Sequence, residues 1–71
     1  MDTNIMEFMV WVVEIVSAEF FDGDKPSAYT ALVDGGIWDK YIKTYDTTHT
    51  LGKEFILEEI GEFIKVAGVV F

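Results

Sequence analysis

The feature that most limits this chain is the lack of crosslinking residues in a short, strongly apolar sequence. It has 71 residues, no cysteine and a single histidine, His49. Disulfides and thiolate metal sites are therefore excluded, and one histidine cannot build a zinc site alone. A chain of this size buries only about 60% of the surface that it exposes when unfolded. Its stability must come from a well-packed core or from association with a partner.

Hydrophobic residues make up 51% of the sequence and aromatic residues 15%, which is rich for so short a chain. Residues 1–71 contain no repeat, low-complexity segment or linker, and we expect them to form a single helical domain. A small number of short helices can bury only a limited number of large side chains. We therefore expect part of this apolar surface to contact a second molecule.

The charge balance limits the choice of partner. Thirteen acidic residues face five basic ones, all of them lysines, and the net charge is −8. Nucleic-acid affinity comes largely from cations that neutralise phosphates, so DNA and RNA are excluded as partners, and so is docking on anionic lipid. A surface of this sign suits solubility or a basic partner.

No targeting or membrane segment is expected. The N-terminus lacks the positive region of a signal peptide. The apolar run over residues 8–13 is bounded by Glu7 and Glu14, whereas a membrane span needs about 20 mostly apolar residues. The expected compartment is the cytoplasm.

Helical spacing of apolar residues predicts an all-α fold, a compact bundle of four short helices. The first is expected over about residues 5–20, with Asn4 and Glu7 as a capping box. Its β-branched run would also fit a strand, but the run is long and contains no turn signal. One face of this helix is expected to lie in the core, namely Ile5, Met9, Val12, Val13, Val16 and Phe20.

Turn residues divide the rest of the chain. The second helix should start near Pro26, with Asp24 or Lys25 just outside it, and end at Gly35 and Gly36. The third is expected over residues 37–45, the polar turn over 46–50 and the fourth helix over 51–67. The predicted inner residues are Ala28, Tyr29, Leu32 and Val33, then Ile37, Trp38, Tyr41, Ile42 and Tyr45, then Leu51, Phe55, Ile56, Ile60, Phe63, Ile64 and Ala67.

Three groups of residues are candidates for a protein interface. A second apolar strip on the first helix, Phe8, Trp11 and Ile15, makes that helix apolar nearly all round, so it needs cover on more than one side. The apolar tail that ends at Phe71 supports the same interpretation. On the last helix, Glu54, Glu58, Glu59 and Glu62 form an acidic outer ridge, which is either a solvated face or a contact for a basic partner.

Catalytic, metal and cofactor sites are not expected. Asp46 could orient His49 as a base, but general base catalysis needs a nucleophile and a pocket, and the nearby threonines are typical helix caps. Glutamates spread along one helix diverge, whereas calcium needs six to eight converging oxygens. The second and third helices have the outline of a helix-turn-helix, but Asp39 and Asp46 oppose a DNA-binding role.

The string Tyr45, Asp46, Thr47, Thr48, His49, Thr50, Leu51 and Gly52 resembles a motif, Tyr-Asp-x-x-His-Thr-x-Gly, of a family of short bacterial proteins catalogued as a domain of unknown function. In that family an acidic amphipathic helix follows the motif, as it does here. The opening residues 7–11 and the pair Tyr41 and Ile42 are also similar, while residues 23–36 depart from the pattern. The motif fits a structural corner in which Thr50 caps the last helix and Asp46 closes the third, and it would also fit a binding epitope.

The resemblance implies a small accessory protein, with some members encoded beside ADP-ribosyltransferase-like toxins. The leading hypothesis from the sequence is a non-enzymatic module that binds another protein or a second copy of itself. The alternatives are an antitoxin-like inhibitor or adaptor whose acidic ridge covers the basic cleft of a neighbouring gene product, an acidic DNA mimic and, last, an enzyme that uses His49.

Overall fold

The computed structural model describes residues 3–67. Within them the chain forms helices and no strand, which confirms the all-α prediction. Four helices have seven residues or more, and one is a single turn. The helices are α1 (Thr3–Phe20), α2 (Lys25–Asp34), α3 (Ile37–Lys43), α4 (Tyr45–Thr48) and α5 (Lys53–Ala67).

The core forms where α2, α3 and α5 pack against α1. From α1 it receives Met9, Val12 and Val16, each at most 1% exposed. These positions are three and four residues apart and so lie on one face of the helix. Each fully buried aliphatic side chain contributes about 1.5–3 kcal/mol. The other buried apolar residues are Ile15, Phe21, Ala28, Leu32, Ile37, Tyr41, Ile56, Ile60 and Ile64.

The long first helix forms despite its β-branched residues because its buried positions follow the helical period. It already includes Thr3, so Asn4 lies within the first turn. The predicted capping box, in which Asn4 would stand just before the helix, is therefore wrong. Thr3 and Asn4 are both exposed, so packing does not require the helix to begin at Asn4.

The turn into α2 uses residues suited to tight backbone geometry. Asp22 and Gly23 have positive φ angles of 53° and 86°. Asp24, one of the two residues predicted to stand just outside α2, is its N-cap. The Ser27 hydroxyl donates to Asp24 Oδ2 at 2.7 Å, and the Ser27 amide donates to Oδ1 at 3.2 Å. These two bonds lower the pKa of Asp24, and Pro26 lies in the first turn as predicted.

The two glycines between α2 and α3 serve different purposes. Gly36 has a φ of 79°, a conformation that side chains with a Cβ rarely adopt. Gly35 has an ordinary helical φ of −85°, but a Cβ there would lie 1.9 Å from Cζ of Phe63. Gly35 is therefore needed for the close approach of α5 to the end of α2.

The segment predicted as a polar turn, residues 46–50, is instead partly helical. Backbone geometry changes at Thr44, with φ −108° and ψ 24°, and α4 begins at the next residue. The Thr44 hydroxyl donates to the Lys40 carbonyl at 2.7 Å and also pairs with the Thr48 hydroxyl at 2.8 Å. A threonine that bonds back to the preceding turn bends a helix. The third helix therefore ends at Lys43, before Tyr45.

One hydrogen bond joins α3 to α5. The Tyr41 hydroxyl donates to Glu59 Oε1 at 2.5 Å, and Lys40 Nζ lies 4.0 Å from Glu59 Oε2. Burial and the hydrogen bond to the neighbouring carboxylate both raise the pKa of Tyr41. Glu59 is half-buried, so it differs from the exposed glutamates of the predicted ridge.

We expect Gly35→Ala to lower the free energy of unfolding by about 1–3 kcal/mol, because the new methyl group displaces the Phe63 ring. The matched control is Gly52→Ala, since a Cβ at Gly52 meets no heavy atom within 4 Å. That variant should leave stability unchanged or raise it by up to about 1 kcal/mol. Urea unfolding measures both, and equal stability of the two variants would contradict the packing described.

Alkaline pH should destabilise the protein through Tyr41. Because the folded pKa is raised, the stabilising contribution is complete below the unfolded pKa of about 10 and declines as the pH rises above it. Above that pH we expect the free energy of unfolding of the wild type to fall by up to about 1.4 kcal/mol per pH unit more than that of Tyr41→Phe. Urea unfolding at several pH values measures the difference, and parallel curves for the two proteins would refute it.

Candidate protein-binding site

An apolar groove lies between α1 and α2 and is closed at one side by α3. Its volume is about 340 Å³. We call it the apolar groove, and its lining residues are Val10, Val13, Glu14, Lys25, Pro26, Tyr29 and Trp38.

Large apolar side chains in this region remain open to solvent. Val10 is 50% exposed and Tyr29 is 46% exposed, and Met6 and Val33 are 52% and 41% exposed. Scattered exposed apolar residues are ordinary, but a contiguous group of them is typical of an interaction surface. Tyr29 meets Trp38 edge to face, with ring centroids 4.8 Å apart. That contact holds the aromatic wall of the groove in place.

Helical spacing explains why the two walls are apolar. On α1, Met6, Val10 and Val13 follow one another at intervals of four and three residues, and on α2 Pro26, Tyr29 and Val33 do so at three and four. Each set therefore forms a row along its helix. The core uses a different side of each helix, so these rows stay largely outside it, and Val13, which is half-buried, also packs against the core.

Tyr29, Val33 and Phe55 were predicted to face the core, and the structure shows that this prediction is wrong. They are 46%, 41% and 51% exposed, whereas Ala28, Leu32 and Ile56 are buried. Both sets fit helical spacing. The neighbours available to cover each side decide which set is buried, and that information is absent from the pattern.

The predicted strip on α1 lies mostly within an aromatic cluster. Ile15 is only 9% exposed, and Phe8 and Trp11 are half-buried. The Phe8 ring lies 5.9 Å from Trp11, 6.5 Å from Tyr41 and 5.6 Å from Tyr45, measured between centroids. Phe8 thus contacts residues of α3 and α4, the strip as a whole is half-buried or buried, and the more open apolar row on α1 contains Met6 and Val10. Phe71 lies outside the described residues.

Three of the four glutamates of the predicted ridge on α5 lie on the outside, and Glu59, which accepts from Tyr41, does not. Glu54, Glu58 and Glu62 are exposed and follow one another at intervals of four residues, so they share a face. Together with Phe55 and Glu59, Glu58 and Glu62 line a shallow depression. The ridge is therefore acidic and carries one exposed aromatic side chain, Phe55, which the sequence pattern had assigned to the core.

The motif residues form a local corner. The rings of Tyr45 and His49 stack at 4.4 Å, and His49 Nδ1–H donates to the Tyr45 carbonyl at 2.6 Å. Because that carbonyl occupies Nδ1, Asp46 does not orient His49 through this nitrogen. The Thr50 hydroxyl donates to the Thr47 carbonyl at 2.6 Å. α4 ends at Thr48, with His49 as its C-cap, and α5 begins only at Lys53, so the prediction that Thr50 caps the last helix is wrong. Asp46 lies in the first turn of α4, and Gly52 precedes α5.

Residues 3–67 contain no group of three or more histidine or acidic side chains arranged to hold a metal ion. None of their helices combines the length and apolarity needed to cross a membrane.

A comparison with protein families matches residues 7–66 to the family described as "Protein of unknown function (DUF3791)". The match covers most of the chain. The chain belongs to the DUF3791 family. Membership agrees with the resemblance to a short domain of unknown function, and the matched residues include both rows of the apolar groove except Met6. Comparisons with curated proteins and with solved structures gave no significant match.

The corner of this DUF3791 protein can be tested by its stability. We expect Tyr45→Ala to lower the free energy of unfolding by about 1–2 kcal/mol, because it removes contacts with Phe8 and His49. We expect His49→Ala to cost less than about 1 kcal/mol, since it removes one exposed hydrogen bond and one ring contact. Thermal unfolding compares them, and a larger loss for His49→Ala would contradict the described contacts.

Proposed function

We propose that this protein is a non-enzymatic, cytoplasmic module that binds another protein or a second copy of itself through the apolar groove. One observation carries the proposal. Val10 and Tyr29, on facing walls of an apolar groove, stay about half-exposed, whereas the core residues of the same two helices are buried. A rigid apolar depression bordered by charged residues is typical of the centre of a protein interface.

The lining favours a protein over a small metabolite. Pockets for small ligands combine an apolar lining with a few polar groups that fix the ligand's orientation. In the apolar groove the polar side chains are Glu14 and Lys25, both exposed to solvent. The rest of the lining is largely apolar, with the Tyr29 hydroxyl and the Trp38 indole N–H as its further polar groups, which suits aliphatic or aromatic side chains from a partner's surface.

The motif over residues 45–52 resembles that of a family of short bacterial proteins. In this proposal the motif has a structural role. The stack of Tyr45 on His49, and the contact of Tyr45 with Phe8, tie α4 to α1. The groove lies on other residues of α1, so the motif supports the fold and is separate from the binding surface.

Replacing the two exposed large apolar residues that line the apolar groove should weaken binding. We expect Val10→Gln combined with Tyr29→Gln to weaken binding at least about tenfold, because the partner loses its apolar contacts. The matched control is Val66→Gln, since Val66 is 85% exposed and lies on α5. Sedimentation at micromolar concentration measures self-association, and affinity capture followed by titration of the captured protein measures binding to another protein.

If the apolar groove is the binding site, Val66→Gln must keep any interaction that Val10→Gln with Tyr29→Gln loses. Circular dichroism should show the same helix content in all three proteins, because the changed positions are half-exposed or more. An interaction that survives the double variant at wild-type affinity would contradict the assignment.

A second candidate function rests on the acidic ridge of α5. In it, an antitoxin-like inhibitor or adaptor covers the basic cleft of a neighbouring ADP-ribosyltransferase-like protein, the partner that the family resemblance implies. The favourable observation is that half-exposed Phe55 lies between carboxylates, which joins an apolar anchor to charges of one sign. Charge complementarity of this kind speeds association and selects partners.

The ridge hypothesis predicts a loss of binding on charge reversal. Glu58→Lys combined with Glu62→Lys should weaken a complex with the neighbouring gene product at least about tenfold at low salt. The groove variant Val10→Gln with Tyr29→Gln serves as the comparison. If charge reversal leaves the complex intact while the groove variant disrupts it, the ridge is not the interface.

A further inference from the structure

The charged residues that border the apolar groove indicate which kind of partner it binds. Val10 lies three residues after Glu7 and four before Glu14 on α1, and all three side chains are exposed. Residues at these intervals are neighbours on a helix surface. Glu14 itself lines the groove, together with Lys25 at the other wall. The α1 wall is thus an apolar row flanked by carboxylates.

The shape of the groove favours a helix as the occupant. Its walls are two helices, each with an apolar row at intervals of three and four residues, and a third helix packs its own ridge into such a space. Proteins commonly bind amphipathic helices in this way. Addition of a strand needs an open sheet edge, and residues 3–67 contain no strand.

Resting on the proposed function, we infer that the apolar groove binds a basic amphipathic helix of another protein. Its aliphatic side chains would lie between Val10 and Tyr29, against Trp38. Its lysine or arginine side chains would reach Glu7 and Glu14. The net charge of −8 on this chain attracts such a helix at long range.

A second copy of this chain fits the groove less well. Two copies would bring together surfaces that each carry a net charge of −8. The helix with the highest proportion of lysine is α3, with Lys40 and Lys43 among its seven residues, but its apolar residues Ile37 and Tyr41 are buried in the core. Among the described helices, none is both basic and free to offer an apolar face.

The test uses the whole protein, labelled with ¹⁵N, and three synthetic peptides of about 18 residues, long enough to form a helix. The first places leucines at helical spacing and lysines elsewhere, the second replaces the lysines with glutamates, and the third scrambles the first. The two tryptophans give separate indole signals. Trp38 lines the groove, and Trp11, in the aromatic cluster with Phe8, is the internal control.

We expect the leucine-lysine peptide to shift the indole signal of Trp38 and leave that of Trp11 nearly unchanged. The glutamate and scrambled peptides should bind at least about tenfold more weakly. Val10→Gln with Tyr29→Gln should weaken binding of the first peptide by a similar factor, while Val66→Gln should not. Glu7→Gln with Glu14→Gln should reduce the salt dependence of binding, because those carboxylates supply the attraction.

Equal binding of the scrambled peptide would overturn the inference, since attraction would then depend on charge alone. Wild-type affinity in the double groove variant would also overturn it. A dimer that this variant dissociates would show that the occupant is a second copy, which refutes the inference but upholds the proposed function. If groove variants change neither peptide binding, nor self-association, nor capture of any partner, both the inference and the proposed function fail.

Discussion

The structure depends on how α1 is packed. This helix is apolar over most of its circumference, yet the helices that pack against it cover only part of it. The fully buried residues Met9, Val12 and Val16 belong to the same cluster as Ile56, Ile60 and Ile64 of α5. Burial of these side chains determines the orientation of α1, and orientation in turn decides which of its other apolar residues remain outside. Since the chain has no cysteine and no metal cluster among its described residues, this packing supplies the stability.

The groove follows from that arrangement together with two local features. Once the core takes one side of α1, Met6 and Val10 lie on the uncovered side. The turn at Gly36, with its positive φ, brings α3 back so that Trp38 contacts Tyr29 of α2. The close approach of Phe63 to Gly35 anchors α5 at the same turn. A single backbone corner therefore positions both the core and the aromatic wall of the groove.

Hydrophobic periodicity was sufficient to predict the all-α class, the four longer helices and most of the core. The conformational preferences of proline and glycine correctly predicted Pro26 in the first turn of α2 and Gly35 and Gly36 at its end. Periodicity could not find α4, which depends on the hydroxyl of Thr44 bonding both to Lys40 and to Thr48. Nor could it show that Glu59 pairs with Tyr41, because that contact joins residues on different helices.

The candidate site was harder to predict for the same reason. Phe8, Trp11 and Ile15 are apolar and correctly spaced, but their exposure depends on residues of other helices, as the contacts of Phe8 with Tyr41 and Tyr45 show. Tyr29 and Val33 fit a core stripe as well as Ala28 and Leu32 do, and packing buried only the latter pair. A sequence pattern identifies apolar rows, whereas exposure is a property of the assembled helices.

The central claim is that the folded chain buries one side of α1 and leaves the row containing Val10 open. Solvent paramagnetic relaxation of valine methyl signals, measured on a sample shown by sedimentation to be monomeric, tests it most directly. A soluble nitroxide should broaden the methyl signals of Val10 and Val33 strongly and those of Val12 and Val16 little, in line with exposures of 50%, 41%, 0% and 0%. Protection of Val10 equal to that of Val12 in the monomer would contradict the account.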